Sequence, residues 1–337
     1  MSRTVSGSDG VQSALEAFGV QAVRVAGIDE GSVNRHWLVE TELGRMVLRR
    51  YRAIRSDGAI AFEHALLRHA LEKGWPVAVP LRTNDGPTVV RAGDASWSLF
   101  PFLLGEPAPY ELLPMKHVKG RLLARFHTDM ADFAVTEQRP DSGRTWELDV
   151  FARAGGHESF NELLRRFEVD YPELGAAVRR EKYRSLRELS RLGYGDLPSI
   201  VIHRDFHHDN LLFDGGELTG LLDFDLACWD AAVCDIAASL TLECLAAPDY
   251  DSIDLAMARP FLEGYTAQRP LRAEEARLIA PLVRANYLWL VMFRLLEWAD
   301  SGSERAVLSV RRSVERRFPA LVGQWGELTA MCEGVAV

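Results

Sequence analysis

Val201-Ile-His-Arg-Asp205-Phe-His-His-Asp-Asn210-Leu-Leu-Phe-Asp-Gly215-Gly-Glu-Leu-Thr-Gly220-Leu-Leu-Asp-Phe-Asp225 is the stretch from which the fold is read. Short apolar runs alternate with polar knots, the pattern of short strands joined by tight turns. Asp214-Gly215-Gly216 is a hairpin signal, because glycine tolerates the positive φ that a tight turn demands. Folding back there carries Asp205 and Asn210 towards Asp223, so two acids and an amide collect at one mouth.

Phosphoryl transfer from ATP uses a carboxylate beside the attacking hydroxyl and oxygen ligands for Mg²⁺. Protein kinases place these groups in His-Arg-Asp, four residues, Asn, and a later Asp-Phe-Gly. Here His203-Arg204-Asp205 is followed by Asn210 at that spacing, then by Asp223-Phe224-Asp225, which departs in its third residue. Preceded by Gly220-Leu221-Leu222, the pair resembles the aminoglycoside phosphotransferase and choline kinase superfamily, which includes the second-type homoserine kinases.

The resemblance implies a two-lobed, protein-kinase-like α+β fold. Residues 1–103 would form a nucleotide-binding lobe, a small antiparallel sheet with one helix. Residues 104–337 would form a larger, mostly helical catalytic and acceptor-binding lobe. It also implies ATP and Mg²⁺ as cofactors and a small-molecule hydroxyl as acceptor. Asp205 would accept or orient the hydroxyl proton. Asn210 and Asp223 would hold the metal, and Asp225 a metal-bound water. Residues 31–34, with Ser32 and Asn34, would cover the ATP phosphates. The passage around Phe102 would hold adenine through backbone groups.

Arg49 stands where kinases of this class place a strand lysine on the phosphates. It keeps the charge but presents a planar fork. Alternate strand residues face opposite sides, so Arg50 competes for the role, with Arg49 the first choice. Glu63 would pair with that cation from the following helix; as a plain first-turn acid it would serve only the helix dipole.

Around this frame, helices are expected over 11–18, 59–73, 114–130, 160–167, 174–192, 236–245, 257–265, 274–298 and 303–318. Strands over 23–28, 37–40, 46–51, 88–91 and 96–102 make a five-stranded sheet. His127 either touches the catalytic loop or fills a core corner. Arg204 is a surface charge or a partner of phosphate or an acid. Asp235 reads as a hydrogen-bonding partner of backbone and not as a metal ligand.

Composition limits the alternatives. The 337 residues are 47% apolar, ample for a packed core, and carry a net charge of −9, which argues against a dedicated nucleic-acid binder. The four cysteines form no C-x-x-C pair, so neither zinc nor a disulfide framework is indicated, and a cytoplasmic setting fits. No run approaches the roughly 20 apolar residues of a membrane span. Oligomeric state is not legible. His203, Asp205, His207, His208 and Asp209 would also suit a metallohydrolase, a reading that leaves Asn210 and Asp223 without a role. A catalytically weak kinase-like binding protein is a further alternative. The acceptor is an aminoglycoside-like antibiotic, homoserine, a choline-like amino alcohol or a protein.

Overall fold

The structure is a computed structural model that describes residues 8–28, 34–52, 55–134, 139 and 141–336. In chain order the elements are α1 (Ser8–Ala17), β1 (Arg24–Ile28), β2 (Arg35–Thr41), β3 (Gly44–Arg50), α2 (Asp57–Glu72), β4 (Val90–Ala92), β5 (Ala95–Pro101), β6 (Glu106–Pro107), α3 (Leu113–Asp129), α4 (Leu148–Ala154), α5 (Phe160–Asp170) and α6 (Pro172–Arg191). Then come β7 (Ile200–Ile202), β8 (Leu211–Asp214), β9 (Glu217–Leu221), β10 (Cys228–Asp230), α7 (Ala232–Glu243), α8 (Leu255–Gln268), α9 (Ala273–Ser301), α10 (Glu304–Arg312) and α11 (Phe318–Gly334). Two compact units emerge. One comprises the described residues up to Glu106 with Leu212–Leu222; the other comprises Pro107–Ala134, Arg139–Leu211 and the chain from Asp223 onward.

The first unit contains a five-stranded antiparallel sheet, as the strand pattern predicts, and its order is β1-β2-β3-β5-β4. Val39, Leu48, Trp97 and Leu99 on the sheet and Leu15 and Phe18 from the α1 region bury one another in its core. Ser56 caps α2 by accepting from Ala59 N, and Phe62, Leu66 and Ala70 bury the helix face. The β8–β9 hairpin also belongs here. Gly215 (φ 55°) and Gly216 (φ 89°) both lie in the left-handed region, as a two-residue type I′ turn requires. Leu221 N donates to Pro76 O, tying the hairpin down. Because a hairpin returns the chain to its starting end, Asn210, just before β8, and Asp223, two residues after β9, leave from the same end.

The second unit is helical around α9, which is mostly buried and packs against α4, α5, α6, α7, α10 and α11. Among the described residues only α9 is long and apolar enough to cross a membrane; its burial makes it the core helix of this unit. Helices α3 and α8 pack most extensively. A Cβ on Gly120 would lie 1.9 Å from Phe261 O, and one on Gly264 would lie 2.1 Å from His117 O, so the two backbones touch where only glycine fits. Strands β7 and β10 pair antiparallel, Val201 opposite Trp229, and deliver the chain into residues 203–210. Two helices were not legible. Helix α4 has only seven residues, and α11 hides its period behind Pro319, Gly323 and Gly326. The helix expected over 303–318 ends at Arg312 and passes through a π-type turn, Ser313–Arg317, into α11.

Candidate active site

Residues 203–210 are held from behind. Asp235, fully buried in the first turns of α7, accepts from His203 N (2.7 Å) through Oδ2 and from Arg204 N (2.6 Å) through Oδ1. This brace holds Arg204 at φ 67°, a left-handed backbone that a branched-free side chain still resists. His127 reaches the same carboxylate, Nε2 to Oδ2 at 3.0 Å, and Tyr265 Oη from Nδ1 at 2.8 Å. A carboxylate only accepts, so Nε2–H donates to Asp235 and Nδ1 accepts from the tyrosine hydroxyl. Burial lowers the His127 pKa, which keeps the ring neutral in that tautomer. Of its two expected roles, His127 takes the buried corner, and it reaches the catalytic loop only through Asp235.

The His203 ring is buried on Phe224 (4.7 Å between centroids) and Phe126 (5.9 Å). Arg204 is not the surface charge that was one of its expected roles, and the Asp230 carboxylate acts on it electrostatically. Its guanidinium is buried over Trp289 (4.2 Å) and Phe151 (5.1 Å) and donates to Gly143 O, where its planar face is what the rings attract.

Asp205 is one-fifth exposed at the front of the loop. Asn210 Nδ2 donates to its backbone O (2.8 Å) and to Oδ2 (2.9 Å), and His207 Nε2 lies 3.3 Å from Oδ1. Burial raises the Asp205 carboxyl, but the His207 bond, the charges of His207 and His203, and the Asn210 bond together hold it below the usual carboxylate range. Burial lowers His207, and the bond and charge of Asp205 reverse this and raise it. The pair is thus an ion pair. Because the folded Asp205 pKa is depressed, its contribution is present above 3.8 and is lost as pH falls through the folded value. Because the folded His207 pKa is raised, its contribution is present below 6.5 and is lost as pH rises through the folded value. The loop is therefore held most firmly between those two values. We expect His207→Ala to move the acidic limb of the kcat/KM profile to higher pH; an unmoved limb would separate Asp205 from that titration.

With Nδ2 donating to Asp205, the Asn210 atom left to act as an oxygen ligand is Oδ1. Asp223 is exposed at φ 54°, and its Oδ1 accepts from Asp225 N (3.3 Å), while Asp225 itself is buried. Amide and carboxylate oxygens are the hard donors that Mg²⁺ prefers, so these side chains fit that ion.

In the first unit, β3 points Arg49 at α2. Arg49 donates to Glu63 (2.6 Å) and to His36 (3.1 Å), and Phe100 lies under its guanidinium at 4.9 Å. The expected cation–acid pair forms, with Glu63 almost wholly buried. Arg50 points the other way, to exposed Asp94 (2.8 Å). The Asn34 side-chain oxygen accepts from Arg52 N (3.3 Å). Phe102 N donates to Arg45 O, so that N–H is engaged within the sheet, and the Arg45 guanidinium covers its ring at 4.3 Å. Ser32 lies outside the described residues. His207, His208 and Asp209 bring ligand atoms within 4.8 Å of one another, whereas His203, packed edge-on against Phe224 in the core, does not join that group. Sequence reasoning missed Lys116, Lys119 and Glu243, a buried charged trio behind His208. A second acid, Glu243, closing the otherwise apolar helix α7 was the available signal.

Residues 24–278 match the model of a family described as phosphotransferase enzyme family. The chain belongs to that family. It is 31% identical over 275 residues to a homoserine kinase from Chelativorans sp. (strain BNC1), covering 81% of this chain and 80% of the relative. Two solved structures share the fold. One is the amicoumacin kinase hAmiN in complex with AMP-PNP, Ca²⁺ and Ami, with a TM-score of 0.69 at 17% identity over 90% of this chain and 91% of that one. The other is a microcompartment-associated aminopropanol kinase, with a TM-score of 0.64 at 19% identity over 95% and 98% of the chains. The two-lobed, kinase-like α+β fold and an ATP-dependent small-molecule kinase activity follow from family membership. The metallohydrolase alternative is set aside.

Proposed function

We propose that this phosphotransferase moves the γ-phosphoryl group of ATP to the hydroxyl of a small amino acid of the homoserine type, in the cytoplasm. The observation that supports it most is the Asp205–Asn210–His207 arrangement, a carboxylate fixed by an amide and an imidazole at the front of a braced loop. The acceptor class rests on the homoserine kinase likeness across about four-fifths of both chains.

In this reading Asp205 orients the acceptor hydroxyl and takes its proton. The hydroxyl oxygen bonds to the γ-phosphorus, the bond from that phosphorus to the β–γ bridging oxygen breaks, and ADP leaves. A carboxylate of depressed pKa is a weak base, so its main work is positioning, which suits a loose transition state. Asn210 and Asp223 would hold Mg²⁺, which supplies charge neutralisation at the phosphates. Asp225 anchors the turn that carries Asp223. Arg49, set by Glu63, grips phosphate oxygens with its fork. Arg49→Met should raise KM for ATP about 10-fold or more, the loss of a charge-assisted bond. An unchanged KM for ATP would remove Arg49 from the nucleotide site.

An ADP-release screen across amino alcohols, hydroxy amino acids and antibiotics tests the proposal, with Asp205→Ala as control. Turnover with an antibiotic and none with homoserine would replace the acceptor; no acceptor-dependent ADP from the parent would sink the proposal.

A further inference from the structure

Directly behind the catalytic loop, the second unit buries three charges that the mechanism above leaves unused. Lys116 and Lys119, one helical turn apart on α3, both reach Glu243 at the end of α7. Lys116 Nζ donates to Glu243 Oε1 (2.7 Å) and to its backbone O (2.5 Å), and Lys119 Nζ donates to the same Oε1 (2.6 Å). All three side chains are at most 1% exposed. Two lysine side chains thus share one carboxylate, and burial lowers the Lys119 pKa against the opposing pull of Glu243, so a cation there is costly without a further partner.

The trio also has unfinished hydrogen bonds. Glu243 Oε2 is buried without a partner, and so is His208 Nδ1, 3.8 Å away and too far to bond it. Lys119 spends one N–H on Glu243, and an ammonium has three. His208 belongs to the catalytic loop, three residues beyond Asp205, and its ring meets Tyr110 edge-on at 4.8 Å. Tyr110 lies also over Lys116 (4.0 Å) and near Tyr250 (6.1 Å). A lysine-rich floor with one unpartnered carboxylate oxygen and one unpartnered imidazole nitrogen, rimmed by aromatic rings, therefore adjoins the residue that handles the hydroxyl.

We propose that Lys116, Lys119 and Glu243 form the recognition floor of the acceptor subsite and select hydroxyl compounds that carry a carboxylate. This rests on the kinase reading above. The acceptor carboxylate meets Lys119 and His208, and an amino group on the acceptor meets Glu243 Oε2. A hydroxy amino acid adds no net charge to the floor. An amino alcohol raises it by one, and a polycationic aminoglycoside raises it further, so preference falls in that order.

The test is ADP release by the full chain with ATP and Mg²⁺, comparing L-homoserine with 3-aminopropan-1-ol, which lacks only the carboxylate, and with an aminoglycoside. We expect kcat/KM for homoserine to exceed that for aminopropanol on the order of 100-fold or more, the discrimination of a buried polar site left unpaired. Lys119→Met should collapse that ratio towards one, chiefly through KM for homoserine. Comparable use of the two acceptors by the parent, or an unchanged ratio in Lys119→Met, overturns the proposal. If that variant does not fold, the parent's ratio and Lys116→Met decide. ADP release with aminopropanol or the aminoglycoside but not with homoserine defeats this inference and leaves the kinase standing. Thermal shift without nucleotide supplies a separate readout: stabilisation by homoserine and not by aminopropanol supports the floor even without turnover, and no stabilisation together with no ADP release overturns both readings.

Discussion

Asp205→Ala lowers kcat by about 10²–10⁴-fold while KM for ATP stays within a few-fold of the parent. The asymmetry follows from what Asp205 touches. Its carboxylate is tied to Asn210 and His207 inside the loop, and its remaining exposed face is the one an acceptor hydroxyl can meet. Removing it abolishes the alignment of the nucleophile and the place its proton goes. Asp205→Asn separates these contributions, since the amide can keep a contact with Asn210 but carries no charge. Steady-state kinetics with both variants checks the assignment. An equal loss in kcat and in ATP affinity would instead mark Asp205 as part of the nucleotide site.

The second large effect is on stability. Asp235→Ala leaves His203 N, Arg204 N and His127 Nε2 buried and unpaired. Each orphaned donor costs about 1–3 kcal/mol, and the sum is about 3–5 kcal/mol after relaxation. We expect the melting temperature to fall on the order of 10 °C. Activity should fall further than stability explains, because Arg204 is then released from its left-handed backbone and Asp205 follows it. Asp235→Asn, with one acceptor oxygen retained, should lie between the two. A melting temperature within about 2 °C of the parent would show that the loop is held by other contacts.

The sequence made the loop and its chemistry legible for a physical reason. Asp205, Asn210, Gly215, Gly216 and Asp223 lie close along the chain, where spacing and turn stereochemistry constrain geometry. The five-stranded sheet was legible because its strands alternate and are separated by turn signals, although the β3–β5 pairing that leaves β4 at the edge was not. The Arg49–Glu63 pair was legible only through the family resemblance, since strand alternation alone left Arg49 and Arg50 both open. What lay hidden depends on partners distant in sequence. Glu243 meets Lys116 and Lys119 across more than a hundred residues, and the place of an acid at the end of an apolar helix does not say which cations it meets. Arg204 reads as a surface charge until Phe151 and Trp289 close over it. Asn34 and the Phe102 N–H stand near the expected nucleotide segments, yet their bonds are drawn inward by Arg52 and Arg45.

The glycine contact between α3 and α8 has a bearing on how such an enzyme can diversify. Helix α3 carries Lys116 and Lys119 near one end and His127 near the other, and Gly120 and Gly264 set its distance from α8 between them. A single added methyl would tilt or lift the whole rod, disturbing substrate choice and loop support in one stroke. New acceptors are therefore reached by exchanging side chains on a rod of fixed seat, and not by shifting the rod.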